Sequence, residues 1–430
     1  MQEILSQRTE FSRSDRTWAE VDLDSIAHNV RKIKEKTTGE TRIMGVVKAD
    51  AYGHGAAEII PTLIENGVTW LAVAMLDEAV ELRRCGITLP ILILNHTDPC
   101  RTDEILRYDL AQTVFSLEMA SALSQSAVEA GKEARIHIKI DTGMGRLGFA
   151  PDDGAMEAIQ AIQAMPGIQI EGIFTHFATA DGEDPAYTFL QFERFMAFCH
   201  SLERRRIKIP LRHVCNSAAT LRFPEMHLDM VRVGILLYGM SPSSFCNAIR
   251  NGFKPAMTFK TRIVHLKVMD PGQSVSYGRT FTAQRKSLIA TFPVGYADGY
   301  SRTLSNKGVV LIRGKRYPVA GTVCMDSCMA DVTGSVVNDN MTVFTNDEKG
   351  FLEECVSPPV QIGDEAVLFG RQGEAFLDID EIAVLRNTIN YEVTCNIGRR
   401  VPRVYFKNGN PVGTKNYLVE KNPRENLGNL

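Results

Sequence analysis

Lys48 has the strongest chemical setting in this chain of 430 residues. It follows Ile43, Met44, Val46 and Val47, a short apolar run suited to a strand buried on both faces. It precedes Tyr52, Gly53, His54 and Gly55, residue types that belong in a loop. A lysine at the end of such a strand has two readings. It is a snorkelling surface cation, or an amine that burial has made nucleophilic, as a Schiff-base lysine must be. From this stretch alone the surface reading is the safer one. The glycines, which permit close approach of a backbone or ligand, and Tyr52, close enough to share a site, argue for the second.

Other candidates follow later strands. In Lys139-Ile140-Asp141-Thr142-Gly143-Met144-Gly145-Arg146, a glycine-rich turn carries Arg146. It is either a surface arginine in a βα loop or a fork aimed at a carboxylate or phenolic oxygen, and the surrounding glycines favour the fork. His176 is a lone histidine, more often a packing residue than a catalyst. No histidine or cysteine stands at ligand spacing from it, so a metal is not expected. Asn216-Ser217 and Arg232-Val233-Gly234-Ile235 offer a hydroxyl and backbone N–H groups where a phosphate could sit. Arg232 could bind that phosphate or face the nitrogen of a pyridine ring. Tyr277, Tyr296, Met325 and Tyr391 lie in glycine-flanked or turn-like segments, and each is a weak signal alone.

The elements that must position these residues change character along the chain. From Trp18 to Gly239, apolar runs alternate with amphipathic stretches. The strands read as Trp18–Val21, Arg42–Val47, Trp70–Val73, Pro90–Leu94, Ala111–Val114, Arg135–Ile140, Ile168–Thr175, Arg212–Cys215 and Met230–Val233. Alternation repeated about eight times fits a parallel barrel, with a doubly wound open sheet as competitor. Functional-looking residues at many strand ends favour the barrel, which gathers them at one mouth. After residue 250, short strands with glycine and proline turns take over, among them Thr258–Val268, Ser287–Pro293, Gly308–Ile312 and Arg403–Phe406. The expected fold is therefore α/β: an N-terminal (β/α)8 TIM-type barrel over residues 1–250, then a mostly antiparallel β domain over 251–430. Residues 1–15 are a candidate partner of the β domain. One clear helix is expected in that domain, from Ile379 to Leu385 and onward, with Tyr391 on or beside it. Thr345–Pro359 reads as an acidic surface loop, and the tail from Asn408 to Leu430 as partly disordered.

Net charge of −3 and a charged fraction of 23% suit a soluble globular enzyme and point to neither nucleic acid nor an acidic membrane surface. The polar N-terminus lacks the apolar core of a signal peptide. The 9 cysteines, without a paired framework, suit free thiols in a reducing cytoplasm.

Taken together, the lysine loop, DTGMGRLG, SYGRTF and GYADGY, in this order and spacing, make the chain resemble alanine racemases from Thr17 to Arg403. The resemblance implies a pyridoxal 5'-phosphate enzyme, a barrel with a C-terminal β domain, and a head-to-tail homodimer sharing its active sites. Lys48 would form the internal aldimine and act as one base, and Tyr277 of the partner subunit would act as the other. Arg146 would contact the cofactor's phenolic oxygen and the substrate carboxylate, with Met325 of the partner subunit offering its N–H to that carboxylate. Tyr52, Asn216, Ser217, Gly234, Ile235 and Tyr391 would hold the cofactor, most of them at its phosphate. Arg232 would face the ring nitrogen with His176 behind it. Lys139 matches a lysine carbamylated in some members, and Asp181 and Tyr296 would line the entrance. The activity implied is interconversion of L- and D-alanine in the cytoplasm, feeding bacterial peptidoglycan. A serine or broad-specificity racemase of the same fold is the alternative. A decarboxylase of this fold would carry a cysteine where SYGRTF has its tyrosine. A binding protein would lack the β domain.

Overall fold

The computed structural model describes residues 16–37, 39–243, 245–247, 252–335 and 360–419. The acidic loop expected at Thr345–Pro359, residues 1–15 and the tail beyond residue 419 lie outside them. The chain divides into two compact units, Leu23–Pro255 and a second of Met1–Asp22 with Ala256–Leu430. The strand β1 (Thr17–Asp22) therefore lies outside the alternating unit.

The first unit holds β2 (Arg42–Val46), β3 (Trp70–Val73), β4 (Ile91–Ile93), β5 (Ala111–Val114), β6 (Ala134–Lys139), β7 (Ile168–Phe174), β8 (Leu211–His213) and β9 (Met230–Val233). Every pair is parallel, and β9 returns to β2. The seam between β8 and β9 is crossed by Arg232 N–H donating to the Cys215 carbonyl at 3.0 Å and Asp229 N–H to the Arg212 carbonyl at 3.1 Å. The TIM-like ring follows from the sequence. Strands buried on both faces, such as β3 and β9, are runs of apolar residues broken only where a polar group has work inside the ring. Helices such as Leu23–Lys36 and Leu117–Ala130 turn one apolar face to the strands.

The second unit is mostly antiparallel. β1 pairs antiparallel with β10 (Met257–Arg262) and parallel with Arg403–Lys407 in a sheet of 8 strands. The expectation that Trp18–Val21 belongs to the barrel is corrected. A short, largely buried strand such as Thr-Trp-Ala-Glu-Val-Asp reads the same in either sheet, and only its partners decide. The expected single strand Thr258–Val268 is two strands in different sheets, β10 and His265–Met269, with a break at Ile263 and Val264. The single helix expected from Ile379 is likewise two, Ile379–Leu385 and Asn390–Cys395, and Tyr391 sits on the second. Within the described part of the tail, Asn410–Lys415 is an ordered strand against Arg403–Lys407, not a disordered end.

Candidate active site

Lys48 stands just past the C-terminal end of β2, on an unusual backbone. Ala49, Asp50, Ala51 and Tyr52 all have positive φ, between 51° and 55°. This is one turn of left-handed helix in L-residues, closed by Ala51 N–H to Val47 O at 2.8 Å and Gly53 N–H to Ala49 O at 2.9 Å. At roughly 1–2 kcal/mol per residue, such a turn costs about 4–8 kcal/mol and persists only if its surroundings over-determine it. They do. The His54 ring stacks on Tyr238 with centroids 4.4 Å apart, and its Nδ1 lies 2.9 Å from Ala51 O. The Tyr238 hydroxyl donates to Val46 O at 3.0 Å, and the Asp50 carboxylate accepts from Ala56 N–H at 2.8 Å.

Opposite β2, Arg232 on β9 pairs in register with Met44. It is 3% exposed, and its terminal nitrogens are occupied. One donates to His213 O at 2.8 Å and His213 Nδ1 at 3.0 Å. The other donates to Thr175 O at 2.8 Å and Val214 O at 3.0 Å, with His176 Nδ1 at 3.3 Å. Among the described residues its Nε is the donor left over. Burial, with Arg146 nearby, lowers Arg232 to about 10, so it keeps its proton at neutral pH.

That fixed proton orders a chain of imidazoles which sequence reading missed. Arg232 must donate to His213 Nδ1, so His213 carries its proton on Nε2 and donates to His137 Nδ1 at 2.9 Å. His137 then carries its proton on Nε2, which faces the Glu171 carboxylate at 3.6 Å. Burial holds both histidines below their usual range, with the charge of Arg232 adding to it at His213, so both are neutral. The ring of His137 fits because Gly172 lies against it. A Cβ on Gly172 would sit 2.2 Å from His137 Nδ1. The available signal was spacing: His137 and Lys139 share one face of β6.

Lys139 is 5% exposed, and its ammonium nitrogen donates to Ile140 O at 2.9 Å. Burial first, and the charge of Arg232 second, bring it down to about 7. The neighbouring Asp141 carboxylate accepts from the N–H groups of Gly143, Met144, Gly145 and Arg146, at 2.8 to 3.1 Å. Burial alone would push that carboxyl up, and the four donors outweigh it and hold it below the usual range. The loop bearing the exposed Arg146 is thereby fixed in shape.

After β8 and β9 the chain forms a small cradle. Ser217 Oγ accepts from Gly234 N–H at 2.9 Å, and a Cβ on Gly234 would lie 2.6 Å from the Tyr52 hydroxyl. Ile235 opens a short helical turn whose first N–H groups have no carbonyl of their own turn to bond. The Asn216 side chain caps the helix Ser217–Arg222 by accepting from Ala219 N–H at 3.0 Å. A hydroxyl pair, free turn N–H groups and a glycine-sized gap suit a phosphate, while Lys48 and the Arg232 Nε suit an aldehyde and a ring nitrogen. These residues fit pyridoxal phosphate. Asp181, the expected entrance residue, is half-buried, and its carbonyl accepts from the Ser243 hydroxyl at 2.7 Å.

In the second unit three loops are stitched together. Ser276 Oγ donates to Thr322 O at 2.6 Å, Thr322 Oγ1 to Tyr277 O at 2.9 Å, and Tyr296 N–H to Cys324 O at 3.0 Å. Ser276 has φ 68° and ψ −176°, a region open to little but glycine, and so swings Tyr277 outward. Tyr277 is 70% exposed, Met325 51% and Tyr296 40%. Sequence reading also passed over Asp298, which is fully buried and accepts from Arg16 at 2.7 Å and Gly295 N–H at 3.0 Å. Arg400 bonds Asp326, beside Met325, at 2.7 Å.

The profile of the alanine racemase N-terminal domain matches residues 21–242, and that of the C-terminal domain matches residues 256–405. The chain belongs to the alanine racemase family. It is 48% identical over 402 residues to the alanine racemase of Clostridium tetani, spanning 93% of this chain and 98% of that one. It is 46% identical to that of Clostridium novyi, with the same coverage. Among solved structures, the alanine racemase of Clostridium difficile 630 superposes with a TM-score of 0.85 at 39% identity, covering 94% of this chain and 100% of that one. The Bacillus anthracis alanine racemase with bound L-Ala-P gives 0.85 at 35% identity, covering 96% and 100%. As a member of this family the chain is an isomerase. Among its described residues no helix is long and apolar enough to cross a membrane.

Proposed function

We propose that this enzyme interconverts L- and D-alanine by two-base proton transfer, with pyridoxal 5'-phosphate bound at Lys48. The observation that carries the reading is Lys48 held on a strained turn at the barrel mouth, in a ring whose other strand ends bring a buried arginine and a phosphate-sized cradle. When bound, the cofactor supplies an electron sink for the charge left by loss of the α-proton. Lys48 holds the cofactor and, once released by substrate, exchanges a proton on one face of the α-carbon. Tyr277 of the partner subunit exchanges a proton on the other face, so the centre inverts. Arg232 Nε would donate to the ring nitrogen and, keeping its proton at neutral pH, would not transfer it. Tyr52, Ser217, Gly234, Ile235 and Tyr391 hold the phosphate. Arg146, together with Met325 of the partner subunit, would hold the substrate carboxylate. Lys139, neutral enough near pH 7 to attack carbon dioxide, is the candidate for carbamylation, which would place an anion beside Arg146. Asp181 and Tyr296 line the approach. On this reading the protein works in the cytoplasm as a homodimer and supplies D-alanine to peptidoglycan.

The test is circular dichroism of L-alanine and L-serine followed to completion, with the absorbance spectrum of the purified protein recorded first. Alanine should decay to zero ellipticity faster than serine. Lys48→Ala should lose the cofactor-linked band and the exchange, and Tyr277→Phe should keep the band and lose the exchange by about 10²-fold or more. A band without any change of ellipticity would reject racemisation. Serine outpacing alanine would reassign the substrate.

A further inference from the structure

The strained turn needs a clasp, and the geometry points to Glu78. We infer that Glu78 is the positioning residue that holds Ala49–Tyr52 in its left-handed form and so presents Lys48. Glu78 lies in the first turn of the helix Leu76–Arg84. One carboxylate oxygen, Oε2, does ordinary work there, accepting from Ala74 N–H at 2.7 Å and Met75 N–H at 3.3 Å. The other, Oε1, reaches 29 residues back and accepts from Ala49 N–H at 2.6 Å. Ala49 is the first residue of positive φ, immediately after Lys48. A carboxylate with one oxygen on each segment ties the loop after β3 to the turn after β2. The link is charge-assisted and short, the strong kind of hydrogen bond. Without it the Ala49 amide loses its acceptor, and the turn loses a restraint at the point where relaxation towards right-handed backbone would begin. Lys48 would then swing with the relaxing peptide. This role rests on the reading of Lys48 as the cofactor lysine, but the clasp itself does not.

The test uses the full chain, prepared free of cofactor, with Glu78→Ala, Glu78→Gln, Ala49→Gly and the double variant Glu78→Ala/Ala49→Gly. Amide hydrogen exchange at Ala51 and Gly53 reads the turn. The rate at which added pyridoxal phosphate is captured by Lys48, followed by absorbance, reads the presentation of the amine. Glu78→Ala should accelerate exchange and slow capture, each by roughly tenfold or more, the scale expected when a hydrogen-bond acceptor to a constrained amide is lost. Glu78→Gln keeps one accepting oxygen and should fall between. Glycine adopts positive φ freely, and Ala49 is exposed, so Ala49→Gly in the Glu78→Ala background should recover most of both rates. A residue that only caps its own helix predicts otherwise. Exchange would then quicken at Ala74–Ala79 alone, capture would keep the parent rate, and the inference would be overturned. Slow capture that Ala49→Gly does not restore would overturn it too, because strain would not be what Glu78 holds. If the parent captures no pyridoxal phosphate, the cofactor reading fails, while the exchange result still decides the clasp.

Discussion

At the scale of single residues, the site is built from charges that burial has made costly and neighbours have made useful. Lys139 is the clearest case. An ordinary lysine holds its proton until pH 10.5, and burial brings this one to about 7. Between those values the unfolded chain binds a proton that the folded chain does not. The penalty is therefore complete below pH 7 and is relieved as pH rises through the window. In buffer freed of carbon dioxide, stability should climb by up to roughly 1.4 kcal/mol per pH unit from about pH 7 upward, and Lys139→Met should remove that slope. Bicarbonate should raise the parent's stability in that window and leave the slope in place, because the unfolded chain still binds the proton that a folded carbamate lacks. Parallel slopes for parent and Lys139→Met in carbon-dioxide-free buffer would contradict the assignment. Gly234→Ala makes a second residue-scale case. Its Cβ would meet the Tyr52 hydroxyl at 2.6 Å, so it should weaken pyridoxal phosphate binding by about tenfold or more in equilibrium titration while the fold survives.

At the scale of elements, the structure shows which features a pattern can carry. The barrel was legible because strands of a closed parallel ring are apolar on both faces and punctuated by helices. That Lys48, Arg146, His176, Ser217 and Arg232 lie at or just past strand ends was legible from the strand-helix alternation, and a barrel gathers such positions at one mouth. β1 was not legible as a strand of the second unit, since its burial is satisfied equally by either sheet. Nor were Glu78, His137, His213 and Glu171, whose partners on other elements lie 19 to 76 residues away. Pairings of that kind belong to topology, and no local period encodes them. The β6–β7 pair shows how an element accommodates one. Its register shifts between Ile136 and His137, and His137 faces Gly172. The irregularity and the missing side chain together open space for an imidazole inside a strand pair. Gly172→Ala should therefore be overpacked by about 1–3 kcal/mol. It should lower the melting temperature and break the His137–His213 hydrogen bond, visible as altered ring-nitrogen shifts. An unchanged melting temperature would show that the ring has another place to go.

At the scale of the whole molecule, the proposed function assigns roles to residues of both units. The barrel has the lysine, the buried arginine and the phosphate cradle. The second unit has a methionine that is 51% exposed and a tyrosine that is 70% exposed, the tyrosine following the strained backbone of Ser276. Strained backbone tends to mark functional positions, and on the proposed reading the function of Ser276 is to offer Tyr277 to a second subunit. In a two-fold dimer each subunit would lend Tyr277 to its partner's Lys48. This has a consequence no single-site variant can mimic. Lys48→Ala and Tyr277→Phe are each expected to be inactive alone. Co-expressed, they reassort so that half the dimers are mixed, and each mixed dimer has one site with both residues intact. Activity should return to about a quarter of the parent's per active-site equivalent. If Tyr277 instead served the barrel of its own chain, every site in every dimer would lack one base and mixing would restore nothing. Recovery on co-expression thus distinguishes a borrowed tyrosine from a resident one without requiring the geometry of the interface.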